Sequence, residues 1–193
     1  MTPRFAAAVI VAALGGLSAS AQSTSEQTVL SVTGSVDRMC ILASPQVNVG
    51  AATNIGSVSG ATVHIADLSN EDMTTRATNF TAQLGAMCNL GHQIVISSDR
   101  GGLWRSPAGL AIDGFASGVP YSATVSWSGA QAVLRATAAS ESSLQQTLAV
   151  DNPAVGDIEL TFHIDQSATN GGSGLPLVSG SYSDVIRITM EPQ

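Results

Sequence analysis

Phe80-Thr81-Ala82-Gln83-Leu84-Gly85-Ala86-Met87-Cys88 is the stretch that decides the fold. Phe80, Ala82, Leu84, Ala86 and Cys88 occupy every second position, so an extended chain turns all five to one face and leaves mostly polar residues on the other. The same period of two recurs at Tyr121, Ala123, Val125 and Trp127, and again at Ile158, Leu160, Phe162 and Ile164. A final run from Tyr182 to Met190 reads as the last strand, with Ile186, Ile188 and Met190 inward and Val185, Arg187 and Thr189 outward. Turn-forming clusters separate these runs: Asn89-Leu90-Gly91, Asp99-Arg100-Gly101-Gly102, Asp151-Asn152-Pro153 and the Gly-rich stretch from Asn170 to Gly174. After the first residues, no segment keeps a helical apolar stripe for three turns. Many short strands at this spacing predict an all-β domain of two stacked sheets. Glu141 to Leu148 is ambiguous between a short helix and a loop.

The first 21 residues differ in kind. Arg4 precedes an apolar stretch from Phe5 to Leu17 and the small-residue tail Ala19-Ser20-Ala21. The stretch is shorter than the roughly 20 residues a membrane-spanning helix needs, and the tail fits a signal-peptidase site, so residues 1–21 read as a secretory signal cleaved before Gln22. No later stretch is apolar for long enough to span a membrane, which leaves the mature chain without a transmembrane segment. Residues 22–193 suit one domain with a real core.

Composition narrows the function further. Seven basic residues, all arginine, stand against 14 Asp and Glu for a net charge of −7. Scattered arginines on an acidic chain do not make a phosphate-binding surface, so nucleic acid is not an expected partner. Without lysine there is no Schiff-base, Ser-Lys or P-loop chemistry. Cys40 and Cys88 are the only cysteines, and an even pair in an exported chain predicts a disulfide that ties an early strand to a central one.

Catalytic and metal sites find little support. His64, His92 and His163 sit in no HExxH, HxH or CxxCH arrangement, and for His163, on the outward side of the Ile158 to Ile164 strand, exposed sheet-face histidine is the plainer reading. His163 with Asp165 has the elements of an oriented base, yet no nucleophile elbow accompanies it, and Gly171-Gly172-Ser173-Gly174 follows no strand-to-helix pattern. Glu71 and Asp72 are adjacent and read as solvated loop charge. Asn79-Phe80-Thr81 matches a glycosylation acceptor but also reads as plain strand sequence. Trp104 and Trp127 have the chemistry to stack on sugars, and one of them is expected in the core. The expectation is no enzyme, no cofactor and no metal.

Ahead of the first cysteine, Gln22 to Gln27 is small and polar, a disordered leader, and Thr28 to Val36 is predicted to be an alternating strand. Leu30, Val32, Gly34 and Val36 share one face, and the other is Ser and Thr except for Val29. Such a strand is suited to lay one side into an apolar groove.

Several segments together resemble the spore coat protein U domain family, which includes the pilins of archaic chaperone-usher pili. They are Val32-Thr33-Gly34-Ser35-Val36, Cys40 followed by Val47-Asn48-Val49-Gly50, Cys88-Asn89-Leu90-Gly91 leading into Gln93-Ile94-Val95-Ile96, and Gly180-Ser181-Tyr182-Ser183-Asp184-Val185-Ile186-Arg187-Ile188-Thr189. The ending Met190-Glu191-Pro192-Gln193 departs from the pattern by lacking the aromatic residue common near pilin termini. The resemblance implies an immunoglobulin-like β-sandwich over residues 37–193 that lacks its last strand, with a groove beside Tyr182, Ile186, Ile188 and Met190. It implies that residues 22–36 form a donor-strand extension, with Leu30, Val32, Gly34 and Val36 entering a neighbouring subunit by strand addition. It also implies a periplasmic chaperone, an outer-membrane usher and neighbouring pilus subunits as partners, passage through the periplasm, and a place at the cell surface in adhesion or biofilm formation. The alternative is that Thr28 to Val36 completes its own sandwich, which would make the chain a monomeric surface-coat or carbohydrate-binding module.

Overall fold

The computed structural model describes residues 28–107, 112–172 and 174–193; the expected signal at 1–21 and the leader at 22–27 lie outside these residues. By its contacts the chain separates into two units, one ending at Val36 and the other running from Asp37 to Gln193.

Among the described residues of the second unit all regular structure is strand. Early strands are β1 (Cys40–Leu42), β2 (Gln46–Thr53), β3 (Ile55–Ser59) and β4 (Thr62–Ile65). The centre holds β5 (Thr78–Cys88), β6 (His92–Ser98), β7 (Leu103–Ser106), β8 (Gly118–Val119), β9 (Tyr121–Trp127) and β10 (Ala130–Ala136). The chain ends in β11 (Leu144–Val150), β12 (Ala154–Ile164), β13 (Ser181–Ser183) and β14 (Ile186–Pro192). The described residues therefore form an all-β chain, and none of them belongs to a helix long and apolar enough to cross a membrane.

The largest sheet runs β1-β5-β12-β9-β10, with β2 pairing the other end of the β5 edge that β1 occupies. A second antiparallel sheet runs β11-β6-β14. Alternation along β5 buries Ala82, Leu84, Ala86 and Cys88, its neighbour β12 adds Ile158 and Ile164, and β6 of the second sheet adds Ile94 and Ile96. Apart from Cys88, these side chains join in one apolar cluster that takes residues from both sheets. Register supplies further packing: Phe80 stands opposite Phe162, and their rings stack with centroids 4.9 Å apart. Cys40 is likewise paired with Cys88 across β1 and β5, and the two form the predicted disulfide. Closing a loop of this separation contributes about 4 kcal/mol in the chain-entropy account.

Tight turns follow from local chemistry. Between β9 and β10 the two loop residues, Ser128 and Gly129, both have positive φ, 50° and 78°, the conformation that matches a two-residue hairpin to strand twist.

Three expectations need correction. Glu141 to Leu148 is neither helix nor loop throughout, because Leu144–Val150 pairs with β6 along its full length and buries Leu148 and Val150. The last strand is not continuous from Tyr182: β13 pairs with β7, and β14 pairs with β6. The break falls at Asp184-Val185, where the Asp184 carboxylate accepts hydrogen bonds from Val185 N at 2.7 Å and Arg100 N at 3.0 Å, groups a continuous ladder would have used differently. Thr28 to Val36 belongs to no strand. A segment outside any ladder leaves its backbone groups to water.

Candidate functional site

The two main sheets are joined on one side and open on the other. Between Ala136 and Leu144 the chain crosses from the β10 edge to the β11 edge, held by Ala138 N donating to Gly101 O and Ser142 N donating to Arg100 O. On the opposite side stand β1 and β2 at the edge of one sheet and β14 at the edge of the other. Among the described residues β14 pairs with β6 alone, so its second row of backbone donors and acceptors has no strand partner. Such an edge is a template for strand addition.

Along this open side lies an apolar groove of about 630 Å³. Leu42 and Val47 line it from one edge, Ile186 and Ile188 from the other, and Ala82, Leu84, Leu160 and Phe162 form its floor, with Val63 and Ile65 of the β3–β4 hairpin beside them. Of the residues assigned to the groove strand, Ile186 and Ile188 line it. Met190 continues the same face of β14 and packs on the core cluster without lining the groove. Tyr182 stands apart on β13, its hydroxyl donating to Val178 O at 2.7 Å.

Asp184 is the one charged side chain among the described groove residues. Its Oδ2 accepts from Tyr121 Oη at 2.7 Å, Ser98 Oγ at 2.5 Å and Gly102 N at 3.3 Å, while Oδ1 takes the two backbone N–H groups named above. The carboxylate thus pins β6, the loop after it, β9 and the start of β14 to one point. Burial pushes the Tyr121 phenol well above the usual tyrosine range, and the adjacent Asp184 carboxylate pushes it the same way. A second buried pair closes the core elsewhere: Trp127 Nε1 donates to His92 Nε2 at 2.9 Å, and His92 Nδ1 lies 2.9 Å from Leu90 O. These contacts fix His92 as the tautomer protonated on Nδ1. His92 is 0% exposed. His163 is exposed on the outer face, with Nε2 3.0 Å from Asp165 Oδ1. Asp72, in an exposed loop, is held below the usual carboxylate range by hydrogen bonds from the Thr74 hydroxyl and backbone. Among the described residues no group of three His, Cys, Asp or Glu side chains is placed to hold a metal ion. Trp127 is the core tryptophan, whereas Trp104 is half-buried with Nε1 donating to Arg100 O at 2.8 Å.

Of the residues expected to form a donor strand, Leu30, Val32 and Val36 are exposed, at 84%, 86% and 87%, and Gly34 has nothing within 4 Å of where a Cβ would sit. Where the second unit begins, Asn89 acts as a clamp. Its Nδ2 donates to Asp37 O at 2.7 Å, its Oδ1 accepts from Met39 N at 2.9 Å, and its backbone N donates to Met39 O at 3.1 Å. By sequence Asn89 reads only as a turn residue, and Asp184 reads as a member of the last strand with no role of its own. The only signal for either is a short polar side chain beside an apolar run.

The fold and site together define an antiparallel all-β domain with an unpaired strand edge over an apolar groove. No protein-family model matches the chain, and the searches of curated proteins and of solved structures found no match.

Proposed function

We propose that the chain is an exported structural subunit of a surface pilus or fibre, built as an immunoglobulin-like sandwich short of its last strand. In this reading residues 1–21 direct export. Cys40 and Cys88 join in the oxidising periplasm. A periplasmic chaperone first occupies the groove, and residues 28–36 of the next subunit replace it at an outer-membrane usher. The observation that carries the reading is the coincidence of two unsatisfied surfaces in one chain. Beside the unpaired edge of β14 lies an apolar groove, and ahead of the domain lies an exposed segment whose alternate side chains are apolar. Burying Leu30, Val32 and Val36 would give on the order of 5 to 9 kcal/mol before ordering costs. Pairing along β14 would add the backbone hydrogen bonds. Because donor and groove are different surfaces, the contact does not close on itself and produces a filament. Adhesion or biofilm formation is the use such a fibre serves, and the reading assigns the chain no catalytic step.

Val32→Asp tests it. A carboxylate forced into the groove is an unpaired buried charge, costing several kcal/mol. Polymerisation should stop while the complex with the chaperone survives, because the chaperone supplies its own strand. Thr33→Asp, on the opposite face, should still polymerise. If Val32→Asp instead unfolds the isolated subunit and Thr33→Asp does not, the segment completes its own fold, and the self-contained coat or carbohydrate-binding module replaces the fibre.

A further inference from the structure

The outer face of the largest sheet is polar along most of its length. Gln83 stands beside Glu159, and Thr81 beside Thr161. At the disulfide end this changes. Ile41, Met87 and Val155 stand side by side across β1, β5 and β12, all pointing away from the core, with Val155 79% exposed. Met39, also exposed, immediately precedes β1. Single exposed apolar residues are ordinary on a protein surface, but a row across three adjacent strands is a contiguous patch and marks a contact. Two of its four members are methionines, whose unbranched side chains adapt to a facing surface.

We infer that this patch packs against the body of a second copy of the chain, the same copy that receives residues 28–36. The inference rests on the strand-donation reading above. Its own support is the Asn89 clamp: Asp37 O and both backbone groups of Met39 are held, so the chain is tied to its own domain from the residue after Val36. A strand advances only about 3.3 Å per residue, which leaves no spacer between a donated segment and the domain that donates it. The receiving body must therefore abut the end of the domain where Met39 emerges, and the apolar row lies at that end. Consecutive subunits then meet through two contacts, the donated strand and this patch. The fibre is stiff at each joint instead of swinging on a tether.

Methionine oxidation by dilute peroxide, read by mass spectrometry, tests the contact on full chains. In assembled polymer Met39 and Met87 should oxidise about tenfold more slowly than in the monomeric Val32→Asp chain, because a packed interface excludes the oxidant. Val155→Glu, a change at a solvent-facing position, should still form ladders, restore oxidation of Met87 to the monomer rate and shorten the persistence length of the fibre in micrographs. Ladders in which Met39 and Met87 oxidise at the monomer rate would overturn the patch contact and leave strand donation standing. Absence of ladders from the unmodified chain would overturn strand donation and the patch contact with it.

Discussion

Residues 80–88 and residues 28–36 carry the same pattern and meet opposite fates. Both alternate apolar and non-apolar side chains, yet Ala82 is 2% exposed inside a paired strand, whereas Val32 is 86% exposed in a segment that belongs to no strand. The difference lies in the neighbours, since β5 has β12 along one edge and β1 and β2 along the other. Alternation thus fixes which face a segment will bury. Whether it buries that face depends on a partner to take up the backbone, because unpaired N–H and C=O groups stay in water. The segment at 28–36 has a face to bury, and the groove beside β14 has a face to cover.

Truncating one side chain in each region should separate the two most widely. Phe162→Ala removes a buried ring that stacks on Phe80 and packs 4.9 Å from Tyr121, and should lower the stability of the monomeric chain by about 3–5 kcal/mol in urea titration. Val32→Ala should change the same titration by less than about 0.5 kcal/mol, as expected for an exposed site. Equal losses would mean that the two stretches are not different in kind.

A smaller effect isolates the polar end of the groove. Tyr121 has its phenol pKa raised by burial and by Asp184, while in the unfolded chain it ionises near the usual value of about 10. The unfolded state therefore loses its proton first, so this contribution is complete below about pH 10 and is lost as pH rises beyond it. Tyr121→Phe should flatten that alkaline loss. At neutral pH it should cost roughly 1.5–3 kcal/mol, the worth of a hydrogen bond to a carboxylate. An alkaline slope unchanged by the substitution would place the titrating group elsewhere.

The smallest effect lies on the outward face of the free edge strand. Arg187 on β14 meets Asp99 at 2.7 Å in the open, and Arg187→Ala should lower stability only slightly, and less still in high salt. A larger loss, insensitive to salt, would show that β14 is less exposed in the monomer than its pairing with β6 alone implies.

Much of this organisation is legible in the amino-acid sequence, and the parts that are not have a common cause. Strands β5, β9 and β12 can be read because each buries a full apolar face, and the cysteine pair because no other pairing exists. β11 cannot be read: Glu141, Ser142, Ser143, Gln145 and Gln146 hide the spacing of Leu144, Leu148 and Val150. The split of the last strand is equally hidden, since Asp184 ends one ladder through donors from distant segments, Ser98, Arg100, Gly102 and Tyr121, that no local pattern connects. Burial of His92 depends on Trp127, which stands on β9 and not on its own strand. Across the candidate site, faces are readable and partners are not, because a face is local in sequence and a partner is not.

The partner of residues 28–36 is therefore what most needs measuring. Chains carrying Val32→Cys and Ile188→Cys, half of them labelled with heavy isotopes, are mixed before assembly and then oxidised, and the cross-linked peptides are weighed. Strand donation between molecules predicts peptides that join light Cys at 32 to heavy Cys at 188 and the reverse. Cross-links found only within light chains and only within heavy chains would contradict it, and would return the segment to its own domain.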